Sequence, residues 1–313
     1  MNKISYSAPG KVILSGEHTV VYGKPAIVCA IDKRLTLTIT PAKKTHYLDT
    51  IVPIIESIVI AFLKERNELI KQVSYIYEIS SKIPIGRGLG SSAAYSAVFA
   101  AGLLELFTGR EWSTTTINMC AYKIEQYFHK NCSGVDVSTS VIGGLIYYRK
   151  EFEFLKTISS LSIKIPKKMS DSLLLIDTGK PEESTAEMIQ KVGTLFKTDI
   201  KKIEQLLVDI EKTTKKLVLS LMKEDTLLFK ESIQKNEQYL EMMGVVSHST
   251  SSFIKKMIPF GKGKVTGGGG YKSSSGYILF ICDNREECEK ELKNKNIPYS
   301  RFIPSYTGLK KEI

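Results

Sequence analysis

Gly86, Gly88 and Gly90 occupy every second position of a short loop, and Ser91 and Ser92 follow at once. Glycine reaches backbone conformations closed to other residues, so such a loop can turn its N–H groups inward and let an anion approach closely. A helix starting near Ser91 would add unsatisfied amides and the positive end of its dipole at the same point. The serine hydroxyls could cap that helix or face a metal ion. The chemistry this suggests is phosphate binding, although no GK[ST] follows as in a Walker A loop. The same pattern also serves a tight strand-to-helix turn packed for steric reasons.

Two other segments have chemical content. Between Ser7 and His18 the chain places an ammonium (Lys11), a carboxylate (Glu17) and an imidazole (His18) within one hairpin-sized element. Gly267 to Gly270 form a four-glycine loop behind Thr266. Each has an ordinary alternative: an edge-strand charge, a polar turn, a flexible connection. The five cysteines and four histidines lack metal-ligand spacing, which argues against zinc and for reduced thiols in a cytoplasmic compartment.

Elements must position these groups. Strands are expected at 11–14, 26–30 and 34–40, a helix at 53–68 and a strand at 72–79. The glycine loop opens into a helix over 91–106, and Ser113 caps another that runs to about His129. The polar, lysine- and proline-containing stretch near 163–170 marks a boundary between units at 1–168 and 169–313. The second unit reads as a strand at 173–176, helices at 184–196, 200–222 and 224–243, strands at 264–266 and 277–282, a helix at 285–294 and a strand near 299–303. Mixed in this way, the elements indicate an α+β protein.

The 313 residues suffice for two domains, and 44 basic against 33 acidic side chains give a formal charge of +11. The basic side chains fall in short dispersed clusters, as on solvated faces, so no nucleic-acid partner is expected. No signal peptide is evident at the N-terminus, and the greasy stretch 51–63 is too short to span a bilayer, so no membrane association is expected either.

The three segments, in this order, resemble the three motifs of the GHMP kinases, the family of galactose, homoserine, mevalonate and phosphomevalonate kinases. The first is Ser7-Ala-Pro-Gly-Lys11 with Gly16-Glu-His18, the second Pro84 to Ala94 and the third the loop behind Thr266. Residues 7–25 are most similar to the mevalonate kinase branch. Asn131-Cys-Ser-Gly-Val-Asp136 resembles that branch's N-P-S-G-x-D, ahead of Gly143-Gly144. Leu175 to Gly179 with Ser184-Thr185 resemble its strand and loop over the substrate. The resemblance implies an N-terminal α+β domain and a C-terminal ferredoxin-like α/β domain, with the active site in the cleft between them.

It also implies roles. Gly86, Arg87, Gly88, Leu89, Gly90, Ser91 and Ser92 would wrap the phosphates of ATP, and Ser92 with Glu125 would hold Mg²⁺. Asp136 would take the acceptor hydroxyl's proton, with Lys11 stabilising the developing negative charge. Glu17, His18 and Thr178 would contact the carboxylate or hydroxyls of mevalonate, phosphorylated on its 5-hydroxyl. A homodimer is compatible with this reading. Other family acceptors stay open, namely phosphomevalonate, another hydroxyl of mevalonate or a sugar, as does a ligand sensor without catalysis. Three departures stand out. Cys132 replaces a proline, which should loosen the backbone before Asp136. Arg87 replaces a small residue and would either contact phosphate or face solvent. The run Gly267 to Gly276 alters the third motif and brings Tyr271 and Lys272 towards the substrate pocket.

Overall fold

The computed structural model describes residues 3–129 and 132–312, so Asn131, at the head of the stretch leading to Asp136, lies outside the described residues. Two antiparallel sheets organise it. The first joins β1 (Ile4–Ser15), β2 (Ala26–Pro41), β3 (Tyr75–Ser81), β4 (Leu145–Lys150), β5 (Lys156–Leu161) and β10 (Lys310–Glu312). Its order is β10-β1-β2-β4-β5, with β3 on the far half of β2. The second has the order β7-β8-β6-β9, made by β6 (Leu173–Asp177), β7 (Gly261–Val265), β8 (Tyr277–Cys282) and β9 (Tyr299–Arg301). With helices between β6 and β7 and between β8 and β9, that order is ferredoxin-like.

On the first sheet lie α2 (Ser91–Thr108) and α4 (Val135–Ile142), and α1 (Val52–Lys64) and α3 (Thr114–Phe128) pack against α2. Alanines and Gly102 let α2 lie close on the strands: a Cβ added to Gly102 would sit 2.8 Å from Ile39 Cδ1. Among the described residues α2 is the one helix long and apolar enough to cross a membrane, and most of it is buried in this core. After α5 (Lys167–Asp171) and β6 come α6 (Thr185–Thr198), α7 (Ile200–Met222), α8 (Thr226–Met242) and α9 (His248–Met257), and α10 (Arg285–Asn294) precedes β9. Leu217 and Leu221 of α7 and Phe229 and Ile233 of α8 join the same buried cluster as Leu14, Ile27 and Ala93. The two sheets therefore share a continuous apolar core.

Several elements differ from expectation for physical reasons. The strands expected at 26–30 and 34–40 are one strand, because the register shifts opposite Asp32 and Lys33 between the Pro9↔Arg34 and Gly10↔Ile31 pairs. A bulge keeps a strand continuous through residues too polar to read as part of it. The hairpin β4–β5 and the helices α4 and α9 were not expected, since α4 spans eight residues behind Gly134 and α9 is rich in serine and threonine. The strand at 310–312 was not expected either, and although it falls within 169–313 it belongs to the first sheet, where Ser5 pairs with Glu312.

Arg34 fastens this returning end. Its guanidinium donates to Ser7 Oγ at 2.8 Å, Ser7 O at 2.9 Å, Gly308 O at 2.7 Å and Thr307 O at 3.1 Å. Hydrogen bonds from a charged donor each contribute about 1.5–3 kcal/mol, so Arg34→Met should lower the unfolding free energy by at least about 2 kcal/mol. Urea unfolding would measure this, with the KM values of the folded fraction unchanged.

Candidate active site

β1 runs under the whole site. Its Lys11 donates its amide to Leu89 O at 2.9 Å, which fixes the glycine loop to the strand. The lysine's stem then passes over Gly90, where a Cβ would sit 2.7 Å from Lys11 Cγ. Gly90 also has φ +78°, so it caps α2 in a conformation that favours glycine. Two residues along β1, the side chain of Thr266 holds Ile13 from the other sheet. Its Oγ1 accepts from Ile13 N at 2.9 Å and donates to Ile13 O at 3.2 Å. Thr266 O then lies against Gly88, 2.7 Å from the place a Cβ would take. The three glycine-bearing segments thus meet backbone to backbone.

They enclose a cavity of about 880 Å³. Lys11 and Asp136 form an ion pair at 2.9 Å within it, the lysine 2 % exposed and the aspartate 37 %. Asp136 sits in the first turn of α4, where the helix end favours a carboxylate. The contact is made by Asp136 Oδ1, which is itself out of solvent against Lys11 Nζ, so Oδ2 is the oxygen left for an incoming proton. The backbone ahead of it is pinned despite the absent proline. Cys132 O accepts from Tyr122 Oη and Lys150 Nζ, both at 3.4 Å, and Ser133 O accepts from Tyr148 Oη. The loosening expected from Cys132 is thereby offset.

Glu125 projects from α3 and is 3 % exposed. It accepts from Ser92 Oγ and Ser96 Oγ, each at 2.9 Å. Burial, with a smaller contribution from Asp136, pushes its carboxyl up to about 7. Ser92 and Glu125 together offer a hydroxyl and a carboxylate oxygen on the cavity wall. Such hard oxygens fit a cation that takes its remaining ligands from phosphate and water, and a nearby positive charge is what a carboxylate so deprived of solvent needs.

His18 lines the cavity with φ 60°, and its Nε2 lies 3.0 Å from Gly268 O. A carbonyl accepts only, so Nε2 carries a proton and Nδ1 is left as an acceptor in the neutral ring. Burial, reinforced by Lys264, lowers its pKa to about 4, so the ring is neutral at physiological pH. It suits a substrate hydroxyl rather than a carboxylate.

Other expected contacts fall elsewhere. Glu17, 1 % exposed, does not line the cavity. It pairs with the fully buried Lys264 and accepts from Asn236 Nδ2 at 3.1 Å, so both its oxygens are engaged inside the protein. Thr178 also stands off the wall: it donates to Gly276 O at 2.6 Å and accepts from Ser275 N at 3.3 Å, which ties the β6–α6 loop to the third glycine segment. The Leu89 side chain is in the core, and Arg87 pairs with Asp177 instead of standing free. Tyr271 and Lys272 stay outside the cavity, where their amides donate to Glu183 Oε1. Wall residues that sequence reasoning missed include Asp49, Ile51, Ile79, Ile85, Tyr95 and Thr185. Most come singly from separate elements and leave no motif. Ile85, inside the motif Pro84 to Ala94, and Thr185, beside the Ser184 cap, fall within segments already singled out.

Residues 54–144 match the family described as GHMP kinases N terminal domain. The mevalonate kinase of Methanothermobacter thermautotrophicus is 28% identical over 98% of this chain and 99% of its own. That of Pyrococcus abyssi is 30% identical over 84% and 85%. In structure, the Methanococcus jannaschii mevalonate kinase superposes with a TM-score of 0.76 and 22% identity, covering 96% of this chain and 99% of that one, a likeness of fold.

The raised Glu125 pKa has a consequence for stability. Folded Glu125 keeps its proton to about pH 7, whereas the ordinary value is 4.5, so folding binds an extra proton between those values. Stability from this group therefore falls as pH rises from the lower value through the upper. Without divalent cation or nucleotide, Glu125→Gln should melt several degrees above the wild type at alkaline pH, and the gap should close in acid. Melting temperatures across that pH range would check it.

Proposed function

The chain belongs to the GHMP kinase family, and on that premise we propose that it is a mevalonate kinase, transferring the γ-phosphoryl group of ATP to the 5-hydroxyl of mevalonate. The observation that supports this most directly is the Lys11–Asp136 pair at 2.9 Å on the wall of the cavity bounded by the glycine loop. Phosphoryl transfer asks a protein mainly to position its reactants and neutralise charge. The amides of residues 86–92 and the N-terminus of α2 provide a cradle for the triphosphate. Ser92 and Glu125 would hold Mg²⁺. When bound, the ion would offset phosphate charge and help align the transferred group. Apolar wall residues, Ile51, Ile79, Ile85 and Tyr95 among them, provide a surface for the adenine.

On the acceptor side Asp136 takes the hydroxyl proton and Lys11 stabilises the oxygen as it becomes negative. His18 accepts a second hydroxyl at Nδ1, and Val20, Val21 and Ile189 give the wall an apolar part suited to a methyl group. The charge inventory favours an unphosphorylated acceptor. Among the described residues Lys11 and Arg87 are already matched by Asp136 and Asp177, His18 is neutral, and the remaining lysine, Lys180, lies over Gly86 on the phosphate-loop side.

Asp136→Asn keeps the shape and deletes the base; Lys11→Met keeps the length and deletes the charge. Each should reduce kcat on mevalonate by at least about a hundredfold while ATP still binds. Because both act on one proton, the double variant should be far less than multiplicatively worse. An ATP-coupled assay on mevalonate, phosphomevalonate, homoserine and galactose tests the acceptor: turnover should be highest on mevalonate. An Asp136→Asn enzyme that keeps most of its rate there would remove the base assignment.

A further inference from the structure

Lys180 is exposed on the loop between β6 and α6, yet it lines the cavity. Its stem crosses the first glycine of the phosphate loop. A Cβ built on Gly86 would lie 3.0 Å from Lys180 Cε and 3.7 Å from Nζ, so the missing side chain is what lets the lysine lie there.

The backbone that presents it is held from several sides. Asp177 Oδ1 accepts from Gly179 N at 2.9 Å, and Lys180 O accepts from Ser274 Oγ at 2.7 Å. Thr178 and Glu183 bind the third glycine segment on either flank. Pro181 restricts the backbone of Lys180, the residue before it. A long cationic side chain thus leaves a fixed base and passes over a loop from the other sheet.

Charge bookkeeping singles it out further. Among the described residues the cavity's lysine and arginine cations are Lys11, Arg87 and Lys180. The first two are committed to Asp136 and Asp177. Glu182, close to Lys180 in sequence, reaches Lys272 instead at 3.9 Å. Asp49, Glu125, Asp136, Glu182 and Glu183 all line the same cavity. A triphosphate entering this cavity meets carboxylates and two cations already paired. Lys180 is the cation left uncommitted.

We propose that Lys180 binds the nucleotide, reaching from the second sheet's side to neutralise the ATP phosphates that the Gly86–Ser92 loop cradles. This rests on the phosphoryl-transfer reading above and adds a residue to it. Bound ATP would then be gripped from both sides of the cleft, by amides of one sheet's loop and an ammonium of the other's.

Lys180→Gln and Lys180→Arg test it, with Mg-ATP binding measured by calorimetry and KM measured separately for ATP and mevalonate. Losing a charged contact to phosphate should raise the ATP Kd and KM at least about tenfold in Lys180→Gln. The salt dependence of ATP binding should become shallower, and the mevalonate KM should stay within about twofold. Lys180→Arg should recover most of the affinity. Lys180 is exposed, so the melting temperature should hold. An unchanged ATP Kd in Lys180→Gln overturns the proposal, as does a rise in the mevalonate KM with ATP unaffected. A wild type that binds ATP but does not phosphorylate mevalonate would remove the acceptor assignment instead, and the binding comparison would still decide the role of Lys180.

Discussion

A fully buried ion pair, Glu17 with Lys264, joins the turn after β1 to β7. Neither charge has access to solvent, so each is tolerable only beside the other, and removing one partner would leave an uncompensated charge in the core. Lys264 Nζ also donates to Ile13 O at 3.1 Å, and Asn236 holds the second carboxylate oxygen of Glu17. Ser15 Oγ continues the network to Asn236 Oδ1 at 3.2 Å and lies 2.7 Å from Thr214 Oγ1. These contacts fix the end of β1 against α7, α8 and β7. Lys11 lies just before the fixed segment and His18 just after it. The spacing between ammonium, imidazole and glycine loops therefore depends on an interaction set back from the cavity wall.

The same arrangement accounts for another acid. Glu237 accepts from Val265 N at 2.7 Å, and burial raises its carboxyl to about 8. Lys264 favours its charged form, while Glu17 and Glu241 oppose it. Two carboxyls beside one ammonium cannot both be equally ionised at low dielectric. Glu17 has the direct contact, and Glu237 keeps its proton well above the usual carboxylate range.

Features set by neighbouring residues were legible in the sequence. The helix at 285–294, the helix at 200–222 and the strand at 277–282 coincide with α10, α7 and β8, because apolar periodicity and turn residues are local signals. The start of α2 at Ser91 follows from the glycines before it, and Ser113 caps α3 through Thr116 N at 3.3 Å as its type suggests. Pairing across long separations was not legible. The partner of Glu17 lies 247 residues away, so a carboxylate beside a histidine read as a substrate contact. Thr178 misled for a similar reason, since its acceptor is the carbonyl of Gly276. The Gly86–Ser92 loop, Asp136, Lys11 and Glu125 could be picked out through family motifs; their convergence on one cavity emerges only from the folded chain.

β10 pairs with β1 at opposite ends of the chain. A ribosome emits residues in order, so β1 must wait for some three hundred further residues before this neighbour arrives. Until then the sheet has an unpaired edge, and unpaired edges attract other strands. His18 meets Gly268, and Ile13 meets Thr266, only after most of the chain has emerged. Half-made chains therefore have no working cleft to protect them. Ser7 meets Glu312 across 305 residues, so this edge closes only after those residues are made, and the risk of misassociation is concentrated in the interval before it.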